Sequence, residues 1–260
     1  MELGMTGLAL VTGAGQGIGR AITLALLQQG CTVAALGRTK GKLDDLAEDA
    51  GVAPDRVVPV ALDLRDLAAV EAALGRAQAD HGPLRHLVNA AGVLRPARLL
   101  DTSEADLREV IEIDFTATLL LTRMVARRMA AQGAGSIVTI GSNSGTAPRT
   151  GLGVYPAAKA GLAHAMKCLG LELAEYGVRC NVVSPGSTDT PMQAGFQSDA
   201  SSRDRVLGGD PGMWRLGIPM GRLAAPSDVA DLVMFLLSDR ARHITMENIV
   251  IDGGATLGMR

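Results

Sequence analysis

Tyr155 and Lys159 stand four residues apart in the run YPAAK. On a helix that spacing puts both side chains on one face. A phenol is a poor base at neutral pH, because its pKa lies near ~10. A neighbouring ammonium favours the phenolate and lowers that pKa, so the pair could accept a proton from a bound hydroxyl. A second constellation, Thr12-Gly13-Ala14-Gly15-Gln16-Gly17-Ile18-Gly19, follows an apolar run and opens a helical pattern. Glycines there let the backbone turn sharply and approach a pyrophosphate, which then rests on free N–H groups at the helix N-terminus. The spacing is not GxGxxG, because Ile18 stands where the third glycine would fall.

Such groups act only where a fold holds them, and the sequence alternates two kinds of element. Apolar runs of strand length lie at 8–12, 31–36, 57–62, 84–90, 136–140, 178–183 and 248–251. Helical patterns lie at 17–29, 43–49, 67–79, 103–131, 155–175 and 226–237, the last beginning at Pro226, which suits a first helical turn. Apolar runs without alternation predict strands covered on both faces. Strand–helix alternation predicts an α/β fold, a Rossmann-type doubly wound parallel sheet of about seven strands, as a single domain over 1–260. The stretch 186–220 has no clear period and is rich in Gly, Ser, Asp and Pro. It is expected to be a substrate loop.

Composition narrows the class without naming a function. The chain has 260 residues, a formal net charge of −2 and 47% hydrophobic residues. That balance argues against a nucleic-acid partner or an anionic membrane surface. No apolar run reaches the ~20 residues a membrane span needs. The opening MELGMTGLALVTG lacks the basic flank and cleavage site of a signal peptide, so a cytoplasmic chain is expected. Cys31, Cys168 and Cys180 form no CxxC and read as buried thiols of a reducing compartment. The four histidines have no metal-ligand spacing, so no metal is expected.

The turn reads TGxxxGIG, and through it the chain resembles the short-chain dehydrogenase/reductase family. Asn89-Ala90-Ala91-Gly92, Tyr155 with Lys159, Ser142 thirteen residues before Tyr155, and Pro185-Gly186 with Thr190 match further family motifs in order. The resemblance implies an enzyme that oxidises a secondary alcohol with NAD or NADP. Ser142 would hydrogen-bond the carbinol oxygen, and Tyr155, helped by Lys159, would take its proton while hydride leaves the same carbon. Cofactor contacts implied are Gly13, Gln16, Gly17, Ile18, Gly19, Asn89, Ala90, Gly92, Tyr155, Lys159, Pro185, Gly186, Thr188 and Thr190. Asp63 matches an acid that contacts the adenine, and could equally be the N-cap of the next helix. The family's fourth catalytic residue is an asparagine, and Asp114 stands in its place. A carboxylate there could pair with Lys159 while partly offsetting its pull on Tyr155. A homotetramer built on the helices at 103–131 and 155–175 is also implied.

Two choices stay open. NAD sites usually place an acid after the second strand, but Gly37 stands there and Arg38 follows. Arg38 could take the 2′-phosphate of NADP, or stack on adenine and admit either cofactor. Segments 177–193, 216–223 and 243–259, with 92–96, 140–151 and 167–177, are similar to the 2,3-dihydro-2,3-dihydroxybenzoate dehydrogenases. Those enzymes use NAD to oxidise the C3 alcohol of a chorismate-derived dihydro acid to a phenol, a siderophore precursor. The 2-amino analogue, trans-2,3-dihydro-3-hydroxyanthranilate, would give 3-hydroxyanthranilate by the same step. Arg149 is the candidate clamp for the small acid's carboxylate, or else a solvated loop arginine. Leu94, Met192, Gln193 and Ser142 are candidates for the ring pocket, although Met192 could be core. A non-catalytic dinucleotide sensor or partner protein is the reading from another class, and the intact Ser142, Tyr155 and Lys159 oppose it.

Overall fold

The computed structural model describes residues 5–195 and 200–259. The apolar runs become β1 (Gly7–Thr12), β2 (Cys31–Gly37), β3 (Val57–Ala61), β4 (Leu84–Asn89), β5 (Gly135–Ile140) and β6 (Val178–Pro185). A two-residue ribbon, β7 (Gly209–Asp210) with β8 (Arg215–Leu216), precedes the last strand, β9 (Asn248–Ile251). Seven strands form one parallel sheet in the order β3-β2-β1-β4-β5-β6-β9. Strand order reverses between β1 and β4, which opens a crevice at their carboxyl ends.

The described residues form ten α-helices: α1 (Gly17–Gln28), α2 (Gly41–Asp44), α3 (Leu46–Ala50), α4 (Leu67–His81), α5 (Glu104–Ile111), α6 (Thr118–Gln132), α7 (Tyr155–Leu173), α8 (Pro191–Ala194), α9 (Ala200–Gly208) and α10 (Pro226–Leu237). Strand side chains alternate between two buried layers. Ala9 and Val11 pack with Ile22 and Leu26 of α1 and Val229 and Val233 of α10. Leu8 and Leu10 pack with Leu74 of α4, Leu121 of α6 and Leu162 of α7. Burial on both faces is why the strands read as unbroken apolar runs. No helix among the described residues is long and apolar enough to cross a membrane.

Four local expectations change. The long helix at 103–131 is interrupted by a π-helical turn, Glu112–Ala117, between α5 and α6. One wide turn barely disturbs apolar periodicity, so the sequence does not reveal it. The helix expected at 43–49 divides at Asp45 into α2 and α3. The stretch 186–220 is ordered into α8, α9 and the ribbon, with 196–199 outside the described residues. A small core of Val206, Ile218, Leu223 and Ala255 anchors it. Cys168 is exposed, on the solvent side of α7, whereas Cys31 and Cys180 are buried. Burial pushes those two thiols up to about 11 and about 12.

Candidate active site

The glycine turn brings α1 against the end of β1. Gly13 has φ +68°, and a Cβ there would lie 2.9 Å from the Ala91 nitrogen. A Cβ on Gly19 would lie 2.2 Å from the Gly13 carbonyl oxygen, so only glycine allows this approach. Thr12 Oγ1 accepts the amides of Ala90 and Ala91, each at 3.0 Å, and pins the loop after β4 beside the turn. Gln16 precedes α1 without a side-chain cap, and the first turn carries no acid. Uncapped N–H donors, no carboxylate and close clearance fit the pyrophosphate of a dinucleotide.

Other expected cofactor residues divide. Asn89 donates to Thr122 Oγ1 at 2.8 Å and Thr139 Oγ1 at 3.0 Å, so its buried side chain braces β4, β5 and α6 rather than facing the crevice. Asp63 is not the helix cap: Asp66 caps α4 by accepting the Ala69 amide at 3.1 Å. Asp63 instead pairs with Arg65 at 2.7 Å, and the hydrogen bond from Arg65 holds its carboxyl down at about 2. Arg38 is exposed just beyond β2.

Beside the turn, α7 begins at Tyr155 and buries Lys159 one turn later. Lys159 Nζ donates to the Ile140 carbonyl at 3.2 Å and lies 5.5 Å from the Tyr155 ring centre. It also lies 3.9 Å from Asp114 Oδ2. The π turn carries Asp114 inward to full burial. Its Oδ1 accepts the Val93 amide at 2.7 Å, while Oδ2 has no hydrogen-bond partner. Gly92 leaves room for the pair, since a Cβ there would lie 3.4 Å from both Asp114 Oδ1 and Lys159 Nζ. Ser142, just past β5, lines the same pocket as the Tyr155 phenol, and its Oγ lies 2.8 Å from Ser144 Oγ.

These neighbours set the charges. Burial raises the Tyr155 phenol above its ordinary value; Lys159 and the Ser142 hydroxyl pull it down, and Asp114 pushes it up. The net shift is upward: Lys159 lowers the phenol and Asp114 opposes it, as the sequence suggests, and burial outweighs the pull of Lys159. Burial works against the Lys159 ammonium, but Asp114 and Tyr155 outweigh it and the group is held charged. Burial raises the Asp114 carboxyl against the pull of Lys159 and the Val93 amide. The resting phenol therefore holds its proton, and the phenolate that accepts one from a bound hydroxyl forms more readily as pH rises.

Ser142, Tyr155 and Lys159 line a pocket of about 360 Å³. Ile18, Ala90 and Gly92 line it from the glycine-turn side, with Pro185, Gly186, Thr188 and Thr190 from the end of β6. The expected substrate residues Leu94, Arg149, Met192 and Gln193 line it too, and Met192, 39% exposed, belongs to its rim rather than the core. Gly13, Gln16, Gly17, Gly19, Arg38 and Asp63 lie outside its lining. Sequence reading missed Val206, Met213, Arg215 and Leu216, which also line it. They fall in the stretch without periodicity, where nothing in the sequence sets Arg215 apart from Arg203 and Arg205. No cluster of three metal-ligating side chains occurs among the described residues.

A family model described as enoyl-(acyl carrier protein) reductase matches residues 13–256. The chain is 41% identical over 252 residues to a 2,3-dihydro-2,3-dihydroxybenzoate dehydrogenase of Bacillus subtilis (strain 168), covering 97% of both. It is 38% identical over 250 residues to the Escherichia coli (strain K12) protein of the same name, covering 95% of this chain and 96% of that one. A solved structure titled short chain dehydrogenase/reductase family protein matches with a TM-score of 0.82 at 32% identity, covering 97% of this chain and 98% of its own.

Proposed function

The chain belongs to the short-chain dehydrogenase/reductase family of NAD(P)-dependent oxidoreductases, and from that premise we propose that it oxidises the C3 alcohol of 2,3-dihydro-2,3-dihydroxybenzoate to give 2,3-dihydroxybenzoate. The observation that carries this reading is one pocket holding Ser142, Tyr155, Lys159 and Arg149 together. Relatives of that name at 41% and 38% identity support the ring acid as substrate.

In this reading Ser142 donates to the carbinol oxygen and fixes it beside the Tyr155 phenol. Tyr155 takes the hydroxyl proton, and the buried Lys159 ammonium stabilises the phenolate that accepts it. A nicotinamide dinucleotide bound there would supply the hydride acceptor for the carbinol carbon. The residues that would hold it are the turn from Gly13 to Gly19, Ala90 and Gly92, and the run from Pro185 to Thr190. Arg149 holds the ring carboxylate, with Leu94, Met192 and Gln193 about the ring. Gly37 followed by the exposed Arg38 supports NADP, while the resemblance to NAD-using enzymes supports NAD. The reading carries with it a cytoplasmic homotetramer. Leu107 and Leu171, exposed on the two long helical stretches, are apolar groups that a partner subunit would cover.

The test offers the 2-hydroxy and 2-amino dihydro acids, each with NAD and with NADP. Nicotinamide absorbance reports hydride transfer, and chromatography identifies the aromatic product. 2,3-Dihydroxybenzoate is the expected product, and Tyr155→Phe is expected to lose at least about a hundredfold in kcat. 3-Hydroxyanthranilate alone would move the assignment to the aminated branch. No turnover of either acid would refute the substrate.

A further inference from the structure

Arg149 is not alone in the pocket. The ribbon brings Arg215, on β8, into the same lining as Ser142 and Tyr155, where it is half-buried. Arg215 Nη2 donates to Ser187 Oγ at 2.8 Å, and Arg149 Nη2 donates to the Ala255 carbonyl at 3.3 Å. Each bond engages one nitrogen with a neutral acceptor. A guanidinium carries five N–H donors, so both side chains keep donors for a ligand.

Among the described residues, no carboxylate lies within ion-pair distance of either arginine. Asp210, in the same wall, lies 3.9 Å from Arg205 Nε and accepts the Met213 amide at 3.3 Å. Burial disfavours the charge on Arg215, and the charge of Arg149 disfavours it further, with Asp210 only partly compensating. Two guanidinium groups drawn into one pocket without an intervening anion repel each other. A carboxylate shared between them removes that repulsion and meets their planar forks with matching geometry.

We propose that Arg215 and Arg149 form a paired seat for the ring carboxylate of the substrate, making Arg215 a specificity-determining residue. The proposal deepens the reading of the substrate as a cyclic carboxylic acid and rests on it. The seat selects cyclic acids whose carboxylate lies near the reacting carbinol, and it disfavours the neutral amide or ester of the same ring. Neither arginine takes or gives a proton in the reaction; both act by placing the ring.

The test uses the full chain, saturated with NAD or NADP, in calorimetric titrations with benzoate and with benzamide. The parent is expected to bind benzoate at least tenfold more tightly than benzamide. Arg215→Gln is expected to lose at least tenfold in benzoate affinity with benzamide affinity unchanged. Arg215→Lys keeps the charge but not the fork, and is expected to fall between the two. Equal benzoate affinity in the parent and Arg215→Gln overturns the seat, as does a parent that binds no benzoate. Parallel loss of benzoate and benzamide in both variants overturns it too, because that pattern reports collapse of the ribbon. A chain that fails to turn over the dihydro acids, yet keeps the benzoate preference and loses it in Arg215→Gln, refutes the proposed substrate and leaves the seat standing.

Discussion

Asp114 alters what Lys159 can do for Tyr155. An uncharged amide at that position would leave the ammonium acting on the phenol without an opposing charge. Here the carboxyl lies 3.9 Å from Lys159 Nζ, holds the ammonium charged, and pushes the phenol upward. Replacing Asp114 by Asn removes the opposing charge and keeps an oxygen that can accept the Val93 amide. With less opposition to the phenolate, Tyr155 ionises at lower pH. The acid limb of the pH profile of kcat/KM for alcohol oxidation is expected to move to lower pH. Steady-state rates between pH 6 and pH 10 for both proteins check it. An unmoved profile would reduce Asp114 to a packing role. The carboxyl itself was legible in the sequence as a departure from the family asparagine. Its inward delivery was not, because a π turn leaves little trace in the apolar pattern.

At the scale of elements, the glycine turn is a steric device, and two glycines on helices show the contrast. A Cβ at Gly19 of α1 would press on the backbone oxygen of Gly13, which cannot swing aside. Gly75 of α4 is exposed and has nothing within 4 Å of an added Cβ. Gly19→Ala is expected to cost about 1–3 kcal/mol, because helix and strand must separate, and to weaken dinucleotide binding. Gly75→Ala is expected to gain about 0.5–1 kcal/mol, since the unfolded chain loses freedom and the helix loses nothing. Denaturant unfolding of the two variants beside the parent checks both signs. Regular elements were readable for the same reason that these predictions can be made. Strands buried on both faces leave unbroken apolar runs, and helix starts such as Pro226 carry local chemistry. The substrate wall was unreadable as structure because α8, α9 and the ribbon are too short to show a period. Their small core is assembled from Val206, Ile218 and Leu223, irregularly spaced, with Ala255 from far along the chain. Arg215 was missed with them, while Arg149 was found because it precedes the recognisable Tyr155.

Across the whole molecule, the active-site pocket and the buried His86 lie at opposite ends of the strands, so activity and acid stability are expected to respond to different residues. The crevice lies at the carboxyl ends of β1, β4, β5 and β6. Near the start of β4, His86 is largely buried between β1 and β5, opposite Ala9 and Ser136, and its Nδ1 has no partner. Burial, with the nearby Arg179 and Arg85 charges, pushes its pKa down to about 4. The folded chain thus holds a neutral imidazole, whereas the unfolded chain protonates it below about 6.5. Between those values the unfolded state binds more protons, so this contribution is complete above pH 6.5 and is lost as pH falls toward 4. Its full size is about 3 kcal/mol for a shift of that extent. Replacing His86 by Gln is expected to flatten the fall of the thermal midpoint between pH 6.5 and pH 4. It is expected to leave the pH profile of turnover in place, since His86 does not line the active-site pocket. Asp114→Asn is expected to move the turnover profile instead. Calorimetric midpoints and kcat/KM, measured on the same buffers for parent and both variants, test the separation. A His86→Gln chain that still unfolds with the parent's slope would show that acid lability comes from other groups.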